Sequence, residues 1–337
     1  MIDVVCIGHP TVDIYLDVPS AHLHTDKEIN RKEVCLLWGE KYYIHRLNSG
    51  LGGNALNVAV GLQQLGLKST LVASLGTDFY GDYARKTLED MSIDLQYVQP
   101  VAKTDTSIVM NFEGDRTILS YHADEAYSFP SDLQQQPLKW VFLTSTGFST
   151  FPDLFDTVSG YLAEHPEVFL AMNPGPRELE EVKATTKLLP RTELLILNFE
   201  EACTLAEKKE LLMEKTGSEQ DHIQELMTYF LDNGVKNVVI TNGGSGAYGS
   251  DGKRVFHQVP FPSNIVEKTG AGDAFTTGVL GALITGKNLE DALTWGAAES
   301  ASVMETVGAA RGLLDSEAVQ HKIRDNFALK PKEIATL

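Results

Sequence analysis

The sequence predicts an α/β protein with a mostly parallel sheet covered on both faces. Short apolar runs of strand length alternate with longer amphipathic runs through most of the chain, the rhythm of repeated βα units. Several Gly-, Asn- and Asp-bearing segments fall where such a strand run ends, which is where folds of this class place their ligands. Two β-rich stretches in the N-terminal half break the rhythm and predict a small β-subdomain. The chain has 337 residues, 43% hydrophobic and 22% charged. A chain of that size buries roughly three quarters of its unfolded surface and needs no disulfide or metal staple.

In chain order, Val4–Gly8 reads as a strand closed by glycine. Apolar residues at 55, 58, 59, 62 and 65 have helix spacing, and Gly66 ends that run. Ser69–Leu75 reads as a strand, Phe79–Met91 as a helix, Trp140–Thr144 as a strand and Phe151–His165 as a helix. Val168–Met172, Leu194–Leu197 and Val238–Thr241 are further strands, with a helix over Asp221–Asn233 between the last two. Lys208 to Gln220 is polar and reads as a loop or frayed helix end. Thr11 to Gly50 holds DIYLDV, EVCLLW and KYYIHRL with no clear helix, and Thr106–His122 alternates as a hairpin turning at Glu113-Gly114-Asp115. These stretches predict one domain over 1–337 with a discontinuous β-subdomain at approximately 13–50 and 104–123.

Charge and ends exclude several classes. Lys plus Arg is 28 against 46 Asp plus Glu, a formal charge of −18. That argues against a nucleic-acid partner, whose footprint is basic, and against polybasic membrane attachment. It leaves an anionic substrate open, since a local site can override the net field. The start, MIDVVCIG, lacks the basic segment of a signal peptide. No uncharged apolar run reaches membrane-spanning length; the most apolar stretch, Ala274 to Ile284, is too short. Cys6, Cys35 and Cys203 are odd in number and have no zinc-like spacing. A cytoplasmic protein with free thiols is expected.

The strongest chemical signal is Glu267-Lys268-Thr269-Gly270-Ala271-Gly272-Asp273, followed by a small, apolar helical run. Glycines let backbone approach a ligand closely, and the helix N-terminus offers free N–H groups and a positive dipole end to an anion. Asp273 in the first turn would take the proton of a hydroxyl attacking a phosphate; otherwise it caps a buried helix. A second segment, Gly50-Leu51-Gly52-Gly53-Asn54-Ala55-Leu56-Asn57, opens the next helix, and its Asn54 and Asn57 offer donors and acceptors to hydroxyls. On its own it is also an ordinary turn and cap. Asp13, after the first strand, suits two sugar hydroxyls or is a plain loop acid. Asn198 and Glu201, three apart, share a helix face and can meet phosphate oxygens or water-bound Mg²⁺, or simply cap the helix. Thr241, Gly243 and Gly246 follow a strand in a loop suited to a nucleotide or to a hairpin turn. That loop lacks the P-loop pattern.

GGNALNVAVGLQQLG and EKTGAGDAFTTGVL resemble the two signatures of the ribokinase-like carbohydrate kinases, the PfkB family, and the resemblance runs from Cys6-Ile7-Gly8 to Gly308-Ala309. It implies a three-layer αβα ribokinase-like core with a β-sheet lid over the sugar site, and transfer of the γ-phosphoryl group of ATP to a hydroxyl of a sugar or nucleoside. By the same resemblance Asp273 is the general base and Gly270, Ala271 and Gly272 form the anion hole. Asp13, Gly52, Gly53, Asn54 and Asn57 bind the acceptor; Asn198, Thr241, Gly243 and Gly246 bind ATP. Glu201 holds Mg²⁺ through water, and Glu267 with Thr269 marks a monovalent-cation (K⁺) site.

Three departures from the family pattern stand out. Glu267 replaces the usual Asp, and Lys268 replaces an uncharged residue, so its charge can stand in for part of the cation. Ala297 or Glu299 falls where relatives often carry Asn or His beside adenine, which leaves the adenine pocket within Gly296–Ser300 loosely assigned. A free sugar such as ribose ranks first as acceptor, a nucleoside second and a sugar phosphate third. Tyr15, Trp38, Tyr42 and Tyr43 would stack on a base if the acceptor were a nucleoside. Arg31, Lys32, Lys41, Arg46 and Lys103 are scattered rather than clustered for a phosphate. Asn173-Pro174-Gly175 lines the acceptor pocket or forms a turn. Gly50, Gly52 and Gly53 are candidate hinges of the lid, and its exposed strands are a candidate homodimer contact. A catalytically silent nucleotide- or sugar-binding regulator is the alternative of another class; the intact Gly270–Asp273 segment argues against it.

Overall fold

The computed structural model describes residues 1–18, 21–26, 31–112, 115–123, 125–147, 149–212 and 218–336. Glu113 and Gly114 of the expected turn, and the side chains of Arg31 and Lys32, lie outside the described residues. Among the described residues the main sheet has ten strands. Its parallel part runs, from one edge inward, through β7 (Val98–Val101), β6 (Ser69–Gly76), β1 (Ile2–Ile7), β10 (Leu138–Leu143), β11 (Phe169–Met172), β12 (Thr192–Asn198) and β13 (Asn237–Thr241). Three antiparallel strands extend it: β14 (Ala247–Ser250), β15 (Arg254–Gln258) and β16 (Lys332–Thr336).

Both faces of this sheet are covered, and alternation along single strands shows it. Val4 and Cys6 belong to one apolar cluster, Val5 and Ile7 to the other, all 0% exposed. Successive side chains of a strand point to opposite faces, so β1 can be apolar throughout only with a layer on each side. The first cluster is closed by α1 (Asn54–Gln64), α2 (Phe79–Asp90), α8 (Ala271–Ile284), α9 (Leu289–Val303) and α10 (Ser316–Asp325). The second is closed by α3 (Asp153–Glu164), α6 (Phe199–Leu205) and α7 (Glu219–Asp232). Two short helices, α4 (Pro176–Glu180) and α5 (Val182–Thr185), link β11 to β12. The fold is α/β, three-layered and mostly parallel.

A second sheet supplies the lid: β5 (Leu47–Gly52), β2 (Thr11–Asp17), β8 (Thr106–Phe112) and β9 (Asp115–Tyr121), in that spatial order. β3 (His22–Asp26) and β4 (Arg31–Cys35) form a separate two-stranded ribbon. The β-rich reading of KYYIHRL is corrected here, because residues 36–46 form no strand and only Leu47 enters β5. Leu36, Leu37, Trp38, Tyr43 and Ile44 are exposed. The stretch is apolar, yet among the described residues it stays largely uncovered, and an alternating pattern specifies a strand only where one face has a partner.

The strand order also locates the site. From β1 the chain moves to β6 and β7 on one side, and later from β10 outward on the other. Ligands of open α/β sheets bind at the carboxyl ends of the strands where the order reverses. His9, Thr144, Asn173, Asn198 and Thr241 stand at or just beyond those ends, and Asp13 lies on β2, the lid strand that follows β1.

Candidate active site

Close helix packing sets the centre of the site. α8 is buried nearly all round, as expected for a helix apolar on every face. A Cβ on Gly278 would lie 2.5 Å from the Trp295 backbone of α9, and one on Gly61 of α1 would lie 2.5 Å from Thr277 of α8. Glycine therefore lets α8 and α9 approach at backbone distance and lets the Thr277 side chain seat directly on α1. One turn before the Gly61–Thr277 contact, the Asn57 amide nitrogen donates to Asp273 Oδ2 at 2.7 Å. The donor to a carboxylate must be the amide NH₂, so Asn57 Oδ1 points elsewhere. It is buried and has no partner. Two residues 216 apart in sequence thus share one contact.

Gly270 caps α8 with φ 81°, and no side chain bonds the first-turn N–H groups. A Cβ on Gly270 would lie 2.5 Å from Ala309, while the space beside Gly272 is open. Gly270 is thus glycine for conformation and for contact with the 309 loop, and Gly272 keeps the helix end accessible. The N-terminal amides, Ala271 and Gly272 among them, carry the positive end of the helix dipole toward that opening. Asp273 faces the same opening, and its pKa is pushed up to about 6, by burial first. The Asn57 hydrogen bond lowers it and the charge of Asp13 raises it further.

Asp13 lies on β2, 7% exposed. Thr11 Oγ1 donates to its Oδ1 at 2.9 Å and the Tyr15 hydroxyl donates to Oδ2 at 3.2 Å. Burial still pushes its pKa up against these bonds and a further one from Ser107. A Cβ on Gly52 would collide with the Asp13 carboxylate, and one on Gly53 (φ 96°) would collide with the His9 carbonyl. These glycines answer to close approach. Gly50 sits opposite Asp13 in the β2–β5 ladder. Asn54 is the first residue of α1. Tyr15 is 3% exposed and committed to Asp13, so it is not free to stack on a base. Trp38 is wholly exposed, and the Tyr42 hydroxyl accepts from Leu37 N at 2.7 Å.

The nucleotide-side candidates meet at adjacent strand ends, since Asn198 pairs with Thr241 in the parallel ladder. Asn198 and Glu201 form a reciprocal cap on α6: Glu201 N donates to Asn198 Oδ1 at 2.9 Å, and Asn198 N donates to Glu201 Oε2 at 2.8 Å. The Glu201 pKa is pushed up to about 7, by burial and then by the charges of Asp273 and Glu200. The charges of Glu201 and Asp273 are thus close enough to repel. Thr241 leads into the turn at Gly243–Ser245, which joins β13 to antiparallel β14, so the segment is also a hairpin. Gly246 has φ 96°, and a Cβ there would collide with the Gln258 carbonyl.

Glu267 is 6% exposed. Its Oε2 accepts from Gly308 N at 3.2 Å, while its Oε1 and the Thr269 hydroxyl are both buried without a partner. Two buried oxygens left bare are costly in a dry loop and fit a bound cation. Lys268 is exposed. Gly296 to Glu299 are buried inside α9. Glu299 turns inward, where its Oε2 accepts from Leu314 N at 3.1 Å. Ala297 and Glu299 are 4% and 0% exposed, so neither presents a side chain to the surface. Asn173 is likewise committed to the framework, its amide donating to the Ile196 carbonyl at 2.9 Å.

Three contributors were missing from the sequence reading. Thr11 and Ser107 hold Asp13. Glu178, 0% exposed, accepts from Thr146 N, Thr146 Oγ1 and Gly175 N and fixes the ends of β10 and β11. Thr11-Val-Asp13 at strand spacing was a usable signal for the first, because alternate residues of a strand share a face. Nothing local marked Glu178.

Comparisons with known proteins agree with this geometry. The profile of the family described as "pfkB family carbohydrate kinase" matches residues 1–316. An ATP-dependent 6-phosphofructokinase of Thermoanaerobacterium thermosaccharolyticum is 26% identical over 302 residues, 84% of this chain and 88% of that protein. A ribokinase of Staphylococcus aureus is 24% identical over 279 residues, covering 80% and 88% of the two chains. Among solved structures, Arabidopsis thaliana ribokinase complexed with ribose and ATP superposes with a TM-score of 0.75 at 22% identity, over 95% of this chain and 98% of that one. Burkholderia thailandensis nucleoside kinase in complex with inosine gives 0.73 at 16%, over 97% and 100%. Among the described residues, no helix is long and apolar enough to cross a membrane. With a family profile spanning nearly its whole length over a matching fold, this chain belongs to the pfkB family of carbohydrate kinases and is an ATP-dependent kinase of a sugar or nucleoside.

Proposed function

We propose that this kinase transfers the γ-phosphoryl group of ATP to a primary hydroxyl of a small free sugar such as ribose. The hydroxyl oxygen attacks the γ-phosphorus, ADP leaves, and Asp273 takes the hydroxyl proton. The observation that carries the reading is the 2.7 Å contact between Asn57 and Asp273 at the foot of α8. It joins a carboxylate whose pKa is about 6 to the acceptor cradle of Asp13, Gly52, Gly53 and Asn54. A base of that pKa is ionised at neutral pH and still strong enough to assist. Positioning and charge stabilisation do the rest of the work in phosphoryl transfer. Gly270, Ala271 and Gly272 would hold the transferred group, and Asn198, Thr241, Gly243 and Gly246 would border ATP.

Glu201 would hold Mg²⁺ through water, and the ion would neutralise charge building on the phosphates. The bare oxygens of Glu267 and Thr269 support a monovalent-cation site there. Potassium should then raise the rate several-fold in a titration against activity. A flat response would mean that Lys268 or nothing fills that role.

The whole chain is read as one kinase domain, 1–337, with its lid at approximately 13–50 and 104–123. A free sugar is favoured over a nucleoside because Tyr15 is spent on Asp13 and Trp38 lies in solvent. It is favoured over a sugar phosphate because Arg46, on the lid, pairs with Asp17. The bare outer surface of the lid supports a homodimer through it, and three free thiols support a reducing compartment such as the cytoplasm. An ATP-consumption screen over free sugars, nucleosides and sugar phosphates tests the assignment. The highest kcat/KM on a pentose is expected; a nucleoside or sugar phosphate preferred by tenfold or more would overturn it.

A further inference from the structure

Beside the acceptor cradle, three side chains converge that phosphoryl transfer leaves without a task. His9 follows β1, Asp105 immediately precedes β8, and His122 immediately follows β9. The last two therefore stand at the two feet of the lid hairpin, and the first at the end of a central core strand. One ligand atom from each lies within 4.8 Å of the other two. The His9 and His122 rings stand perpendicular with centroids 5.0 Å apart. His122 Nδ1 is 2.9 Å from Asp105 Oδ2, and Asp105 Oδ1 accepts from Ala123 N at 2.8 Å, which fixes the carboxylate.

Two further features point to a ligand. His9 Nδ1 is buried and has no partner. A cavity adjoins the cluster, lined by Ser74, Lys103, Tyr127 and Thr146 as well as the three residues themselves. Tyr127, 6% exposed, presents a hydroxyl with no partner there. A buried polar atom left bare costs about 1–3 kcal/mol, and two of them border the same small space. Burial holds the His9 ring below its ordinary pKa and so favours the neutral imidazole, the form that binds metals. The His122 side chain is 34% exposed, which gives an ion a route in from solvent.

We propose that His9, Asp105 and His122 bind a divalent cation of the zinc class, which ties both feet of the lid hairpin to the end of β1. Two imidazoles and one carboxylate suit such an ion and suit Mg²⁺ poorly, since Mg²⁺ prefers an all-oxygen shell. Three protein ligands leave a fourth position to water in the cavity beside Tyr127. The link to the acceptor is short. The His9 carbonyl fills the space a Cβ on Gly53 would need, and the Asp105 carbonyl accepts from Val12 N at 2.9 Å, one residue before Asp13. Bound metal therefore stiffens the cradle and acts on the KM of the acceptor more than on kcat.

The test uses the untagged full-length chain, stripped with a chelator and titrated with Zn²⁺ against a chromophoric zinc chelator, without nucleotide. One tight equivalent is expected, together with a rise in melting temperature. His122→Gln and Asp105→Asn should each weaken Zn²⁺ binding by about tenfold or more and abolish the thermal shift, while MgATP still binds. His122 is partly exposed and Asn keeps an acceptor for Ala123 N, so these two variants should stay folded where His9→Asn does not. No tight equivalent on the wild-type chain at micromolar Zn²⁺ would overturn the proposal. So would unchanged affinity in both variants.

Discussion

Along the contact between α1 and α8 nearly every turn is buried, whereas the lid sheet is covered along β2 and bare along β9. On the lid, Val12, Tyr15 and Val109 are buried, while Leu47, Ile108, Ile118, Leu119 and Tyr121 are exposed. The helix pair approaches closely at Gly61, where a Cβ would collide with the Thr277 side chain, and truncating a side chain in such packing costs about 2–5 kcal/mol. Asp273 and Asn57 sit on the stiff support and Asp13 on the half-covered one. The division suggests that the chemical step is fixed in advance by the core, while acceptor affinity depends on a lid that is incomplete alone.

Mutations at the two carboxylates test that division most strongly. Asp273→Asn should lower kcat by about 10²–10⁴-fold, with MgATP affinity and melting temperature nearly unchanged; survival within tenfold would remove Asp273 as the base. Asp13→Ala should act mainly on KM and lower kcat/KM for the acceptor by about 10–150-fold, the loss of a charged hydrogen bond worth ~1.5–3 kcal/mol. An equal fall in kcat from both variants would break the contrast between core and lid.

The pH profile sharpens it further. Asp273 takes up a proton as pH falls through about 6, so kcat/KM should decline on the acid side near that value. The Asn57 hydrogen bond lowers the Asp273 pKa; Asn57→Ala removes it, so the acid limb should move to higher pH. An unmoved limb would assign it to another group. The smallest catalytic effect is expected on the outer lid. Leu37→Asp with Trp38→Asp should turn a dimer into a monomer by light scattering and change kcat less than about twofold, because those side chains are exposed. A chain that is monomeric before substitution would remove the lid contact altogether.

Much of this was legible from the chain. Spacing gave α1, α2 and α7 within a few residues of their observed ends, because an apolar stripe at helix period has one stable way to be buried. The Gly270–Asp273 segment pointed to an anion-binding helix start because glycine and a first-turn carboxylate act locally. The strands β14, β15 and β16 escaped, being short and paired only through distant partners. KYYIHRL misled in the other direction, apolar enough for a strand but left largely bare by the described residues.

The sequence by itself determined the layered α/β core, the kinase signatures and the candidates Asp13 and Asp273, since periodicity and helix-end chemistry act over a few residues. Only the tertiary structure decided which of them meet. The Asn57–Asp273 bond, the seat of Asp13 against Gly52, the inward turn of Glu299 and the His9–Asp105–His122 cluster all join residues far apart in the chain. Such contacts follow from strand order and helix approach, and no local pattern encodes them.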